Sequence, residues 1–356
     1  MTFLKEALSL AESVKGKVSP RPPVGAIIVN NSKIVGKGST STNPVKHAEI
    51  IALEKAGVKS KNSILYSTLE PCSHHGSTPP CVESIVKSGI RKVITPLKDP
   101  NPDVNGKGLE KLRASGIEVS TEANEEEIRQ AEELIEGFKH FTLTKKPFIT
   151  VKYAMTLDGK ISSKSRDSFW ISNEHSRNIV HKLRSQSDAV LIGINTLLTD
   201  NPKLNARNGF SGPKFRVVLD SNSKTPIDSN LLKTPGKILI YTTSTNSSNQ
   251  INHNVEYVKV NPSKKGVDIS NVLEDLAKRG CVTILVEGGS DILGSFFDLK
   301  LVNKVVIFIS PKILGGQNAI TAVGGEGYNY INESPKLKNI NIRTIEDDIM
   351  VSGYLK

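Results

Sequence analysis

Cysteine is scarce, with three in 356 residues, and so few argue against a disulfide framework and fit a reducing compartment. Aromatic residues make up 5% of the chain and tryptophan occurs once, which counts against the stacking platforms that hold single-stranded RNA. No apolar run approaches the ~20 residues of a membrane helix. The apolar N-terminus is interrupted by Lys5, Glu6 and Glu12, so no signal-peptide core forms. We therefore expect a cytoplasmic protein with no membrane partner. Missing too, where paired glycines follow an apolar strand at Val286-Glu287-Gly288-Gly289, is the Gly-x-Gly-x-x-Gly fingerprint of a conventional dinucleotide fold.

What is present begins with size. A chain of 356 residues exceeds one typical domain, and composition turns apolar again at Lys145-Lys146-Pro147, which sets the expected domains at 1–144 and 145–356. The formal charge of +11 and pI near 9.4 suggest an anionic partner: a phosphorylated metabolite, a dinucleotide or nucleic acid. Charge alone does not choose among these, and a lysine-rich solvated surface would give the same balance.

The chemistry concentrates in two segments, His47-Ala48-Glu49 and the run from Pro71 to Cys81. One imidazole and two thiolates make a three-ligand zinc set, leaving a position for water, whose pKa the ion lowers to about 7. Glu49, two residues after His47 at an expected helix start, would face that water without ligating. Cys81 opens a helix, where the positive end favours a thiolate. A scaffold with structural zinc would need a fourth ligand, for which His74 and His75 are the local choices. An RNA-editing zinc deaminase with a basic second half is the other rival. Eight residues separate Cys72 from Cys81, a wider spacing than Cys-x-x-Cys.

Patterning gives the rest. Helices are expected at residues 2–15, 48–56, 81–88, 125–136 and 173–185, the last capped by Ser172; strands are expected at 24–29, 33–38, 62–67, 91–96, 148–154, 189–193, 216–219, 237–241, 282–286 and 304–309. Strands alternating with helices make the chain α/β. The turn-rich stretch 99–108 is expected to line the first site. Gly288-Gly289 reads either as a tight turn or as a phosphate approach at a helix N-terminus. Cys281 lies in an apolar run and is expected in the core.

Together, His47-Ala48-Glu49, the Pro71 to Cys81 run, Asp99-Pro100-Asn101-Pro102, Lys152 to Lys160, Asp167 to Ile171, Asp200-Asn201-Pro202 and Glu287-Gly288-Gly289 resemble the bifunctional deaminase-reductase family of riboflavin biosynthesis, over essentially the full length. The resemblance implies a cytidine-deaminase-like α/β/α domain followed by a dihydrofolate-reductase-like α/β domain. It implies Zn²⁺ on His47, Cys72 and Cys81, Glu49 as proton shuttle, and NADPH as the second cofactor. It places NADP binding at Ala154, Trp170, Thr196, Asp200, Ser221 and a loop formed by Gly289, Ser290, Asp291, Ile292, Leu293, Gly294 and Ser295. Substrate binding falls on Ser168, Arg184, Leu204, Arg207 and Glu287, with Asp99 and Asn101 in the first half. The implied partner is a phosphorylated pyrimidine and no nucleic acid; homo-oligomer formation stays open. Lys152 and Glu287 are candidates for polarising or protonating the carbonyl that is reduced.

Two departures stand out. The family usually reads Pro-Asn-Pro where this chain has Pro20-Arg21-Pro22-Pro23, and a cation where this chain has Ser77. Arg21 is expected to replace the missing cation and to grip substrate phosphate or a ring carbonyl.

Overall fold

The computed structural model describes residues 2–74, 79–102, 104–165, 167, 171–244 and 254–355, so Ser168, Trp170, His75 and Ser77 lie outside the described residues. The chain divides into two compact units, Met1–Lys145 and Lys146–Lys356.

In the first unit, α1 (Phe3–Val14) is capped by Thr2, whose hydroxyl accepts the Lys5 N–H, and buries Leu4, Ala7, Leu8 and Ala11. Strands β1 (Gly25–Asn30) and β2 (Lys33–Ser39) form a hairpin closed by Asn31 and Ser32, both at positive φ, as a two-residue turn of this kind requires. Helix α2 (Ala48–Ala56) packs against that hairpin so closely that a Cβ at Gly36 or Gly38 would meet the carbonyl oxygen of Ala52 or Ala48 at 2.2 or 2.1 Å. Two glycines on one face of β2 thus fix where α2 begins. Strand β3 (Ile64–Ser67) pairs antiparallel with β1, and β4 (Lys92–Ile94) and β5 (Glu118–Ser120) follow in parallel, giving the order β2-β1-β3-β4-β5.

Helices α3 (Cys81–Lys87), α4 (Lys107–Ala114) and α5 (Glu125–Thr144) complete the unit. A capping box between Asn124 and Glu127 starts α5, and the helix runs past the expected end at Glu136. It continues because its apolar side does: Ala131, Leu134 and Ile135 are buried and Phe138 packs against the same core.

The second unit opens with β6 (Phe148–Thr156), β7 (Lys160–Ser162) and α6 (Glu174–Ser185). The cap of α6 is Asn173 and not Ser172: the Asn173 side chain accepts the Ser176 N–H at 2.8 Å, while the Ser172 carbonyl accepts from the Arg177 guanidinium. There follow β8 (Ala189–Gly193), α7 (Ile194–Asp200), β9 (Phe215–Leu219), α8 (Asn230–Lys233), β10 (Ile238–Thr242), β11 (Val255–Lys259) and α9 (Ile269–Lys278). The chain then returns through β12 (Thr283–Val286), α10 (Ser290–Asp298), β13 (Lys304–Ser310), β14 (Lys338–Ile345) and β15 (Asp348–Tyr354).

These strands form one sheet in the order β11-β10-β9-β8-β12-β6-β13-β15-β14, parallel from β11 to β13 and antiparallel over the C-terminal hairpin. Both faces of the central strands are buried, as the unbroken apolar runs of β8 and β12 require. After β8 the chain winds outward through β9, β10 and β11, then inserts β12 between β8 and β6. The gap beyond the carboxyl ends of β8 and β12 is therefore the place where a ligand crevice forms in such sheets.

Two expectations change there. The stretch 289–295 is helical, not a loop, because α10 starts at Ser290 with Gly289 as an extended N-cap (φ −75°). The Gly288-Gly289 pair does not make a tight turn either. A Cβ on Gly288 would meet Ile292 at 2.6 Å, so glycine is needed for the close packing of α10 on the strand end. Cys281 is fully buried in the core of this unit.

Candidate active sites

His47 sits at the N-cap of α2 on extended backbone (φ −78°, ψ 154°), Cys72 lies in the segment after β3, and Cys81 is the first residue of α3. Their ligand atoms all lie within 4.8 Å of one another, with His47 Nδ1 3.1 Å from Cys81 Sγ and 3.4 Å from Cys72 Sγ. Ligands about 2.0–2.3 Å from a tetrahedral zinc stand about 3.5 Å apart, so this donor set fits the ion. Among the described residues no fourth side chain, His74 included, joins the group. Glu49 is outside it as well.

Cys81 donates to Cys72 and holds the Cys72 thiol down at about 4, against the opposing effect of burial. The same bond, reinforced by burial, pushes the Cys81 thiol far up. Cys81 opens α3 as expected, and the first N–H of that helix points at Cys72 Sγ, at 3.4 Å, so the positive helix end acts on that sulfur as well. His47 is raised by its hydrogen bond with Cys72.

Glu49 is buried in the first turn of α2, and burial holds its carboxyl above the usual range, opposed by His47. The Ser67 hydroxyl donates to Glu49 Oε1 at 3.2 Å, and Cys81 Sγ stands 3.8 Å from Oε2. Ser67 had no signal in the sequence beyond being the last residue of a strand that leads to Glu70-Pro71-Cys72. The charge of Arg21 is felt at His47, which places it beside this site. The 99–106 loop approaches too: Asp99 is half-buried, accepts the Asn101 N–H at 2.8 Å, and is held above the usual carboxylate range by burial, with Cys72 and His74 both within electrostatic reach.

The second unit gathers Lys152, Arg184 and Glu287. Glu287, just beyond β12, binds the Arg184 guanidinium through two bonds, Nε to Oε1 at 2.6 Å and Nη2 to Oε2 at 2.9 Å, and Arg184 Nη1 donates to the Asn205 carbonyl at 3.2 Å. The Arg184–Glu287 ion pair is largely shielded from solvent, with side chains 16% and 8% exposed. Burial opposes ionisation of Glu287, yet Arg184 keeps its carboxyl below the usual range. Lys152 on β6 lies over the Phe308 ring at 5.8 Å and is lowered by burial, with Glu287 pulling the other way.

A scan against family descriptions matches residues 1–96 to the cytidine and deoxycytidylate deaminase zinc-binding region and residues 147–351 to the RibD C-terminal domain. The riboflavin biosynthesis protein RibD of Aquifex aeolicus is 38% identical over 98% of this chain and 96% of its own length. The chain belongs to the RibD family of riboflavin biosynthesis proteins. RibD of Synechocystis is 38% identical over 99% of this chain and 96% of its own length. Among solved structures, a Thermotoga maritima diaminohydroxyphosphoribosylaminopyrimidine deaminase/5-amino-6-(5-phosphoribosylamino)uracil reductase superposes with a TM-score of 0.87 at 34% identity, covering 99% of this chain and 98% of its own. Acinetobacter baumannii RibD gives 0.85 at 29% identity, with the same coverage. A zinc-binding deaminase domain and an NADPH-dependent reductase domain, both of the RibD kind, thus make up this enzyme. The nucleic-acid reading is not favoured.

The remaining residues expected at the RibD reductase site are spread over several elements of the second unit. Thr196 on α7 and Gly289 face each other across the β8–β12 gap, the Gly289 N–H donating to Thr196 Oγ1 at 3.1 Å, and Asp200 closes α7. Along α10, Ser290 and Asp291 are at the open end, the Ser295 hydroxyl bonds the Asp291 carbonyl, and Ile292 packs on Gly193 and Gly288; Leu293 and Gly294 are buried in the interior. Ser221, just past the carboxyl end of β9, offers its carbonyl to Thr242 and Thr243. Ala154 is half-buried on β6 and packs near Val180 and Phe308. Leu204 is 2% exposed at φ +52° and packs in a core cluster with Ile192 and Leu197. Arg207 is exposed nearby. Arg216 on β9, which sequence reading passed over, is buried and gives its guanidinium to the carbonyls of Lys203, Leu231, Thr234, Pro235 and Gly236, anchoring the segment that carries Leu204 and Arg207.

Proposed function

We propose that residues 1–144 hydrolytically deaminate 2,5-diamino-6-(5-phosphoribosylamino)pyrimidin-4(3H)-one and that residues 145–356 reduce the opened ribose of the product to a ribityl phosphate. The observation that carries this reading is the convergence of His47, Cys72 and Cys81 within 4.8 Å beside the non-ligating Glu49. These three residues would hold Zn²⁺, which supplies a Lewis acid and an acidified water at neutral pH. Glu49 then takes a proton from the attacking water on its carboxylate and delivers it to the amino group that departs as ammonia. A C–O bond replaces a C–N bond, and water is consumed. Ser67 orients Glu49 by its hydrogen bond. Asp99 and Asn101 are assigned to the phosphorylated pyrimidine substrate, and Arg21 to its phosphate or a ring carbonyl.

In the second unit a bound NADPH would supply the hydride that reduces the aldehyde carbon. Thr196, Asp200, Ser221 and the start of α10 from Gly289 to Ser295 are assigned to the dinucleotide, with Ala154 beside it. Lys152 delivers a proton to the aldehyde oxygen, and burial suits it to that because its ammonium gives up a proton more readily than an exposed lysine. Glu287, fixed by the Arg184 fork, sets a negative charge within electrostatic reach of Lys152. Since that edge of Arg184 is taken, the exposed Arg207 is the better partner for the ribose phosphate. The test is incubation of the purified chain with the diaminopyrimidine phosphate, with and without NADPH. Ammonia release without NADPH and nicotinamide oxidation with it are expected; no ammonia from the zinc-loaded chain would overturn the first assignment, and unchanged nicotinamide absorbance the second.

A further inference from the structure

Glu70 belongs to no metal or substrate set above, yet it is 3% exposed and its carboxylate is saturated by backbone donors. Its Oε2 accepts the N–H groups of Asp99 and Gly106, each at 2.9 Å, and Oε1 accepts those of Gly108 at 2.8 Å and Leu109 at 3.4 Å. Gly106, Gly108 and Leu109 are the N-terminal turn of α4, whose own N-cap is a glycine with no side chain to offer. Glu70 therefore caps that helix from a distant point in the chain, an anion on the positive helix end. The fit is close: a Cβ on Gly108 would meet the Pro71 carbonyl oxygen at 2.1 Å and Glu70 Oε1 at 3.0 Å. Two further bonds run the same way, from the Glu70 N–H to the Leu97 carbonyl at 3.0 Å and from Lys111 Nζ to the Ser73 carbonyl at 3.0 Å.

Each of these contacts joins two stretches of different duty. Glu70 lies two residues before the ligand Cys72, while 99–106 is the loop that carries Asp99 and Asn101. We propose that Glu70 is a positioning residue of the deaminase, welding the Cys72 segment to the 99–106 loop so that metal ligand and substrate groups form one rigid body. It touches neither substrate nor metal; it acts by removing the freedom of one part of the site relative to the other. The inference rests on the deaminase assignment above for its catalytic consequence, and on the hydrogen bonds alone for the weld.

The experiment compares the full-length chain with Glu70→Gln, which keeps the shape but turns one acceptor oxygen into an N–H₂ group facing two N–H donors, and with Gly108→Ala, which obstructs the weld from the other side. Hydrogen exchange of the unaltered chain should show the amides of Asp99, Gly106 and Gly108 protected to the level of helix α4. In Glu70→Gln they should exchange at least about tenfold faster, the size of effect expected when a hydrogen bond to a charged acceptor is lost. Both variants should keep bound zinc and full NADPH oxidation on already deaminated substrate, while KM for deamination rises about tenfold or more and kcat falls less. Equal exchange in the unaltered and Gln chains overturns the weld. Zinc loss in step with activity overturns the positioning role, since Glu70 would then support the ligand Cys72 itself. An unaltered chain that protects these amides but releases no ammonia counts against the deaminase assignment and leaves the weld standing.

Discussion

Two buried glutamates stand at the two sites, and they are treated oppositely. Glu49 has only neutral side-chain donors, the Ser67 hydroxyl at 3.2 Å and the Cys81 sulfur at 3.8 Å, and burial raises its carboxyl against the pull of His47. Glu287 has a two-pronged guanidinium at 2.6 and 2.9 Å, and that charge keeps its carboxyl low although burial pushes the other way. A carboxylate that must accept and return a proton is left nearly uncompensated, whereas one that must hold a neighbour in place is fixed as an anion. Burial is common to both; the partner decides the role.

The contrast breaks most visibly at Glu49. Glu49→Gln should lower the deamination rate by about 10²–10⁴-fold, the usual worth of a positioned acid-base group, with zinc content and NADPH oxidation unchanged because the residue is not a ligand. Chelating the zinc should abolish ammonia release altogether and leave the reductase running. Metal analysis and the two separate assays check this; a Gln variant that deaminates normally would remove Glu49 from the proton path.

At Glu287 the larger effect should be on folding. Glu287→Gln leaves Lys152 and Arg184 as buried cations without their counter-charge, and breaking a buried pair in this way costs about 3–5 kcal/mol. The urea midpoint of the second unit should fall while the first unit's is unchanged. The pH dependence follows: Glu287 is lowered from 4.5, so its contribution is full above the unfolded value and is lost as pH falls through the lower folded one. Glu287→Gln should therefore flatten acid destabilisation of the second unit. If both chains lose stability alike below that value, the ion pair is not a stability device.

How much of this could be read from the chain differs between the sites for the same reason. His47, Cys72 and Cys81 are rare residue types that share two short segments with Glu49, so their chemistry showed at once, and β8 is delimited by its own unbroken apolar run. Glu70, Ser67 and Arg216 act through backbone groups or partners many positions away, and nothing in a local window marks them. The C-terminal hairpin was missed because β14 is an exposed edge with only half-buried alternation, its Ile340 and Ile342 being 56% and 66% exposed. The loop over 289–295 was implied by the resemblance, whereas the paired glycines themselves pointed to a helix start; Gly288 makes room for Ile292 and Gly289 caps α10.

Lys152 gives a subtler test of the same contrast, since it depends on Glu287 without being paired by it. Its pKa is lowered from 10.5 by burial, so the unfolded chain binds the proton more readily, and stability should rise with pH between the lowered folded value and the ordinary one. Lys152→Met should remove that rise and stabilise the second unit at neutral pH by about 1–4 kcal/mol, because the Arg184–Glu287 pair remains intact. NADPH oxidation should cease at the same time. A destabilised Met variant would mean that Glu287 needs both cations.

The smallest effect sharpens the comparison from the other side. Ser67→Ala removes the one hydroxyl that orients Glu49, a single neutral hydrogen bond worth about 0.5–1.5 kcal/mol, so deamination should fall by no more than about tenfold, through kcat. Replacing Arg184 by Met, which strips two charge-assisted bonds from Glu287, should instead cost folding stability as well as reduction. Side-by-side steady-state rates and urea midpoints check the pair. If Ser67→Ala costs as much as Glu49→Gln, orientation and not proton affinity is what the first site builds into its carboxylate, and the two glutamates are more alike than their partners suggest.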